Sequence, residues 1–445
     1  MKDISYRRRI WGWFFFDWAS QPYNTLLITF IFAPYINELI GDGARAQTVW
    51  AFGIAAGGII IALGAPVLGA MADHSGARIQ WIQGFSAMYV LGAFGTWWAI
   101  PGDLNLVMVL TFFVIGMIGM EFATIFTNAM LPDLGTREEI GRISGNGWAF
   151  GYVGGLVALV IMLLFFAEGA DTGKTLIGLD PAFGFDAAKR EGTRFVGPLT
   201  GFWYILFMIP FFMWVRDPRP VGGGAHAVRD ALRTVMTTIQ HLPRTPSMFS
   251  YLAASMFYRD ALNGMYFFGG IYAAGVLGWS VVHVGIFGIL ALVAGAVFAW
   301  LGGFADDRFG PKPVIVAAIL VLLFVAISIT AISRGAIYGV ALVPGSILPD
   351  VLFYGCGILI GAAGGAVQSA SRSMMVRQAR AGHMAESFGL YGLAGKATAF
   401  IAPTLIGIAT SASGSQQIGV SPLIGLFALG LVLLIWVKPE GDPSE

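Results

Sequence analysis

The sequence predicts an all-α membrane protein: twelve transmembrane helices in two pseudo-symmetric six-helix bundles, with both termini on the inner side. Three observations lead there, namely composition, the spacing of long apolar runs, and a repeat between the two halves. The 445 residues are 57% hydrophobic and only 11% charged, with a mean hydropathy of +0.75. Soluble domains carry about a quarter charged residues. A soluble fold of this length could not hide so much apolar surface, so lipid is the main solvent.

A helix crossing the hydrocarbon needs about 20 mostly apolar residues. Runs of that kind fall at roughly 11–36, 47–71, 79–100, 104–131, 143–167, 196–215, 248–277, 281–304, 313–333, 347–376, 386–411 and 418–437. They are too long and too evenly apolar for barrel strands, which alternate. The basic start "MKDISYRRRI" is followed by no small-residue cleavage site, so the first run reads as a retained helix rather than a signal peptide. Lys and Arg accumulate on the cytoplasmic side of membrane proteins. With both termini inside, 17 of the 26 lie in inner segments, 6 in outer loops and 3 within spans, which selects this orientation. The longest outer loop, roughly 168–195, carries mixed charges and reads as a solvated loop.

Residues 1–215 form the first predicted bundle, 216–247 a cytoplasmic linker, and 248–445 the second bundle with a short tail. Within the linker Val228, Leu232, Val235 and Ile239 share one helical face, as in a short amphipathic helix at the inner interface. The halves echo each other. "GAMADHSGAR" (69–78) pairs with "GFADDRFGPK" (303–312), and "DWASQPY" (17–23) with "DALNGMY" (260–266). "TNAMLPDL" (127–134) pairs with "SRSMMVRQ" (371–378), and "GNGWAFG" (145–151) with "GLYGLAG" (389–395). The offsets of 234, 243, 244 and 244 drift only by loop length. Duplicated six-helix halves are a transporter architecture.

At these motifs the chain resembles the major facilitator superfamily. The carriers are GxxxDxxGxR at Gly69, Asp73, Gly76 and Arg78, and its echo at Gly303, Asp307, Gly310 and Lys312. Within that superfamily "FDWASQPYNTLLITFIFAPY", "TNAMLPDL", "GNGWAFGYVGG" and "QSASRSMM" resemble the vacuolar amino-acid effluxer branch and its bacterial relatives. The resemblance implies export of amino acids by alternating access, in a bacterial inner membrane or alternatively a vacuolar one. One departure is Ser20-Gln21 after Ala19, where the branch leads one to expect Asn-Ser; a side-chain contact there would alter specificity.

The charges inside the predicted spans are Asp17, Glu121, Arg259, Asp260, Arg372 and Lys396. All but Lys396 lie in the first, fourth, seventh and tenth spans, the helices that line the cavity in the fold this chain resembles. Residues three, four and seven apart share a helix face. Asp17, Gln21 and Asn24 therefore make one polar stripe, and Glu121, Thr124 and Asn128 a second. Arg259, Asn263 and Tyr266 make a third, with Asp260 about 100° away. Gln368 and Arg372 are paired by spacing. Acids facing bases across one space would suit a zwitterion. Desolvation and a nearby cation act oppositely on a carboxyl, so Asp17, with Glu121, is the candidate for the coupling proton and Arg259 the counter-charge. Asp17 would equally serve a permanent ion pair or cap backbone freed by Pro22. Lys396 reads as either snorkelling or facing the cavity, and Arg372 as either a cavity or a lipid-phosphate contact.

The motif residues Asp73, Gly76, Arg78, Asp307, Gly310 and Lys312 are candidate gating residues. By resemblance Asp73 should hold the start of span eleven near Ser387, and Asp307 the start of span five near Ser144; a simple turn cap is the alternative. Small-residue ridges at Gly147, Gly151 and Gly155, at Gly285, Gly288 and Gly295, and at Gly53 and Gly57 allow close helix approach. The resemblance puts these ridges between the halves, with packing inside one half as the other reading.

No cofactor or metal is expected. There is no Walker loop, the five histidines are scattered without ligand spacing, and neither GxSxG nor HExxH occurs. The single Cys356 excludes an internal disulfide; the net charge of +1 says nothing about nucleic acid, and no basic tract suggests it, so no nucleic-acid partner is expected. The expected partners are a small-molecule substrate, a coupling proton and the bilayer, with the chain as a monomer. The leading function is a secondary transporter of a small amphipathic solute, neutral amino acids first, by proton-coupled efflux. The alternatives are a multidrug or lipid-like solute exporter and, more remotely, an intramembrane enzyme.

Overall fold

A computed structural model describes residues 5–40, 43–75, 77–136, 138–169, 172–217, 233, 236–237, 240, 244–279, 281–379 and 383–442. The linker helix expected from Val228, Leu232, Val235 and Ile239 lies outside them. The chain divides into two compact units, Met1–Met130 with Phe150–Ala227, and Leu131–Ala149 with Val228–Glu445. Seven helical segments among the described residues are long and apolar enough to cross a membrane, and Ala56–Ala72 and Ile401–Thr410 are shorter apolar helices.

Unit 1 begins with α1 (Tyr6–Pro22), a π-helix (Tyr23–Phe30) and α2 (Phe32–Ile40). Pro22 has no N–H and its ring crowds the preceding turn, which breaks the α ladder. The chain answers by widening, and the Ile31 N–H reaches back five residues to the Leu26 carbonyl at 3.1 Å. Such π segments cluster at functional sites. There follow α3 (Gly43–Ser75), α4 (Arg78–Gly95), α5 (Leu106–Asn128), the later turns of α6 (Ile140–Phe165), and α7 (Val196–Trp214). Helices α4 and α5 meet backbone to backbone: a Cβ on Gly92 would lie 2.5 Å from the Phe112 carbonyl oxygen. On α7 the exposed residues are Phe202, Ile205, Leu206, Ile209 and Met213, one apolar stripe at helical spacing. An outward face this apolar fits lipid as its solvent.

The segment between α6 and α7 is solvated at Lys174, Asp180, Asp186 and Lys189, as expected, and elsewhere forms a folded cluster. Phe166, Phe183, Phe185 and Phe195 form a cluster with centroids 4.8–6.3 Å apart. Glu168, Thr175, Thr193 and Arg194 are buried. Arg190 ion-pairs with Glu38 and, at 3.4 Å, with Glu168, while the Arg194 guanidinium lies 4.5 Å over Trp97. Part of the mixed charge is thus buried in a folded cap, while the rest stays at the surface.

Unit 2 holds the first turns of α6 with α8 (Pro246–Leu277), α9 (Val281–Phe309), α10 (Pro311–Ala331), α11 (Leu348–Gln378), α12 (Met384–Ala397), α13 (Ile401–Ser413) and α14 (Pro422–Leu434). Each unit also carries one minimal hairpin: Ala99–Ile100 pairs with Asp103–Leu104, and Ala336–Ile337 with Val340–Ala341. The turns use Gly102 at φ 78° and Tyr338–Gly339 at φ 49° and 79°, the left-handed region that tight turns need. The hairpins start 237 positions apart, within the drift of the sequence repeat.

Of the ridge glycines, Gly53, Gly57, Gly151 and Gly155 pack within unit 1 and Gly295 within unit 2. Gly53 and Gly57 face Leu110, Val114 and Met117 of α5, and Gly151 and Gly155 face α1. Gly295 meets Gly365 of α11, and it is Gly145, not Gly147, that meets Ala299 and Gly303 of α9.

Candidate transport site

In unit 1, α1 lies along the glycines of α6. Cβ atoms on Gly151 and Gly155 would fall 3.1 Å from Asp17 Cβ and 2.8 Å from Gln21 Cγ. The two side chains thus sit one helical turn apart over two small residues also one turn apart. Asp17 is 8% exposed. Asn24 falls in the π segment and turns to α5, where its Nδ2 donates to Met120 Sδ at 3.4 Å. On α5, Glu121, Thr124 and Asn128 are half-buried, while their neighbours Phe122, Ala123, Ile125, Phe126 and Thr127 are buried. The stripe read from spacing is therefore the face of α5 that its packing leaves uncovered.

In unit 2, Arg259 is held by α12. Its Nη1 donates to the Tyr391 carbonyl at 3.0 Å and its guanidinium lies 4.1 Å over the Tyr391 ring. Gly395 makes room, since a Cβ there would fall 2.6 Å from Arg259 Cζ. A cation–π contact adds about 0.5–2 kcal/mol, more where water is excluded. Asn263 and Tyr266 are exposed on the same face. Asp260 points elsewhere: it is buried, and its Oδ2 accepts the Ala402 N–H at 2.8 Å, where α13 begins. On α11, Gln368 donates to the Gly364 carbonyl at 3.3 Å. Arg372 is buried with its guanidinium 4.7 Å over Trp148, a residue of the α6 start. The partners Tyr391 and Trp148 carry no polar spacing signal, so sequence reasoning did not single them out.

The motif residues lie at helix ends. Arg78 is buried and donates to the Ala129 carbonyl at 3.1 Å, closing α5. Gly310 has φ 82°, a conformation only glycine adopts freely. Lys312 donates to the Val437 carbonyl at 2.7 Å, past the end of α14. Asp307 Oδ1 accepts the Arg142 N–H in the first turn of α6 at 2.7 Å, and its Oδ2 is 3.7 Å from Arg142 Nε. Gly76 and the side chains of Asp73 and Lys396 lie outside the described residues.

The fold compares closely with solved transporters. FucP in its outward conformation aligns with a TM-score of 0.69 over 97% of both chains at 14% identity. The proton:xylose symporter XylE aligns at 0.67 over 96% of this chain and 94% of the other at 12% identity. These likenesses define the fold, that of the major facilitator superfamily transporters, in an integral multi-pass membrane protein. More narrowly, residues 48–442 match the family described as vacuole effluxer Atg22 like, and the chain belongs to that family. Two relatives bracket it. The uncharacterized MFS-type transporter YxiO of Bacillus subtilis is 23% identical over 434 residues, 96% of this chain and 94% of that one. Autophagy-related protein 22-1 of Aspergillus niger is 26% identical over 318 residues, 67% of this chain and 47% of that one. The match thus spans about half the length of the fungal relative.

Proposed function

We propose that this protein is a proton-coupled secondary transporter that exports a small amphipathic solute, with neutral amino acids as the first class. In this reading it has twelve spans, both termini inside, six-helix halves at 1–215 and 248–445, and acts as a monomer. Asp17, with Glu121, takes the coupling proton, and Arg259 and Arg372 supply positive charge for a substrate carboxylate. Gln21, Asn24, Asn128, Asn263 and Gln368 complete the polar lining.

The observation that carries the reading is the pair of partly uncovered polar faces, Glu121–Thr124–Asn128 in unit 1 and Arg259–Asn263–Tyr266 in unit 2. Intramembrane ionisable residues are rare and mark ion or substrate paths. The effluxer family lends the direction.

The test is reconstitution in liposomes with an imposed pH gradient and a panel of radiolabelled amino acids. Gradient-driven flux of at least one neutral amino acid is expected, with counterflow surviving when the gradient is collapsed. Asp17→Asn should abolish gradient-driven accumulation yet keep counterflow. Full gradient-driven transport by that variant would remove the proton role.

A further inference from the structure

The sequence doublet "ADDRFG" holds one acid more than the motif requires. Asp307 occupies the motif position, and the first half has Ala72 where the second has Asp306. Asp306 is fully buried at 0% exposure, on the last turns of α9. Neither carboxylate oxygen has a hydrogen-bond partner among the described residues. The first turn of α6 lies directly on it: a Cβ at Gly141 would fall 2.5 Å from Asp306 Cγ.

The groups facing it come from every packed element. From α11 come Ser373, whose buried hydroxyl also lacks a partner, and Arg377. Beside it on α9 is Asp307, which is engaged by Arg142, itself 3.5 Å from Glu139. Arg377 is itself engaged by Glu440 of the C-terminal tail, which takes its Nη1 at 2.7 Å. Lys312 is turned away to the Val437 carbonyl. Among the described residues the nearby cations are thus engaged by other acids, Arg377 by Glu440 and Arg142 by Asp307 and Glu139, and a second acid is adjacent. An ionised carboxylate held without hydrogen bonds in a dry site is strongly disfavoured.

We propose that Asp306 is a second proton-binding site, which holds a proton while the first turn of α6 is seated on α9 and releases it to water when that turn withdraws. The neutral acid can donate its O–H to Ser373 Oγ. Lifting Gly141 admits solvent, the O–H bond breaks and the carboxylate gains a hydration shell. Protonation and seating of α6 favour each other, because each stabilises the state in which the other is found. The site stands apart from Asp17 and does not depend on that residue carrying the transported proton.

The experiment places a cysteine at Ile143, buried on the same turns of α6, in a Cys356→Ser background, and measures its alkylation against pH in purified protein. Reactivity corrected for thiolate content should rise several-fold from acid to alkaline pH. Asp306→Asn, the neutral isostere, should flatten the profile to within twofold. Arg377→Gln, which removes the cation, should move the midpoint up by about one pH unit. Infrared spectra at neutral pH should show a protonated-carboxyl C=O band in the parent that Asp306→Asn lacks. A pH profile unchanged by Asp306→Asn, or no such band in the parent, overturns the proposal. Should Asp306→Asn not fold, an unmoved midpoint in Arg377→Gln overturns it as well.

Discussion

Asp260 and Ala402 are joined across 142 positions of sequence, the Oδ2 of one accepting the amide N–H of the other at 2.8 Å. That bond closes the start of α13. The Ile401 N–H goes to the Thr398 carbonyl at 2.8 Å and the Thr404 N–H to the Phe400 carbonyl at 3.0 Å. Pro403 has none to place. Helix starts leave four amides to satisfy, and in a bilayer no water is at hand to take them. A carboxylate borrowed from α8 takes the one amide that the local chain leaves over, and it also faces the positive end of the α13 dipole.

Asp260→Ala should therefore loosen the break between α12 and α13 by about 1–3 kcal/mol, the cost of an orphaned buried donor. Amides 401–404 should exchange faster by hydrogen–deuterium exchange, with a lower melting temperature in detergent. Asp260→Asn keeps an acceptor oxygen and should lose less than half as much. If Asp260→Asn abolishes transport while leaving exchange at 401–404 unchanged, the carboxyl works in the cycle and not only as a cap.

Asp307→Ala should release the Arg142 amide, which loses its 2.7 Å bond, and with it the seating of the first turn of α6. The partly exposed Arg142–Asp307 pair contributes little by itself, on the order of 0–1 kcal/mol; the amide bond to a carboxylate contributes more, about 1.5–3 kcal/mol. Amides 141–144 should lose protection in hydrogen exchange. Arg142→Ala, which keeps the backbone N–H, should leave most of that protection in place. Equal losses in the two variants would show that the side-chain pair, and not the amide, holds the turn.

Much of this was legible in the sequence because one physical signal carried it. Lipid demands long apolar helices, so helix positions followed from hydropathy. The face bearing Glu121, Thr124 and Asn128 followed from helical period alone. Other features were hidden because their cause is tertiary. Arg259 rests on Tyr391, 132 positions away, and no spacing rule links them. Gly151 and Gly155 announced close packing but not which helix they pack on, since small residues carry no address. Asp306 passed as a neighbour of the motif acid, although its departure from Ala72 in the repeat was visible. The cap between α6 and α7 was legible only in part, because mixed charge fits a solvated surface as well as a buried pair such as Arg190–Glu168.

Gly92 and Gly84 form an internal control on α4. A Cβ at Gly92 would strike the Phe112 carbonyl at 2.5 Å, whereas at Gly84 it would meet nothing within 4 Å. Gly92→Ala should drive α4 and α5 apart at a cost of at least about 1–3 kcal/mol, the usual range for overpacking, because backbone cannot rotate out of the way. Gly84→Ala should be neutral or stabilise slightly, by up to about 1 kcal/mol. Melting temperatures of the purified variants decide it, and equal effects would contradict the close backbone contact.

The pH response of the cap between α6 and α7 follows from Glu168. It is 3% exposed, with Arg190 Nε at 3.4 Å from one oxygen. Burial raises its carboxyl above the ordinary value of 4.5, outweighing the nearby amides and Arg190, which pull it down. A raised value means that the folded cap binds the proton more tightly than the open loop does. The contribution to cap stability is therefore fully present below about pH 4.5, and it declines as pH rises through the higher value of the folded state. Hydrogen exchange of amides 172–195, corrected for intrinsic rates, should show protection falling as pH rises through that window. Glu168→Gln cannot ionise and should remove the slope, whatever it does to the absolute level. Glu38→Gln acts on the same process from outside: it frees Arg190 to serve Glu168 alone, which steadies the ionised form and makes the slope shallower. Protection that rises with pH in the parent protein would show that Arg190 outweighs burial and would reverse the sign of the argument.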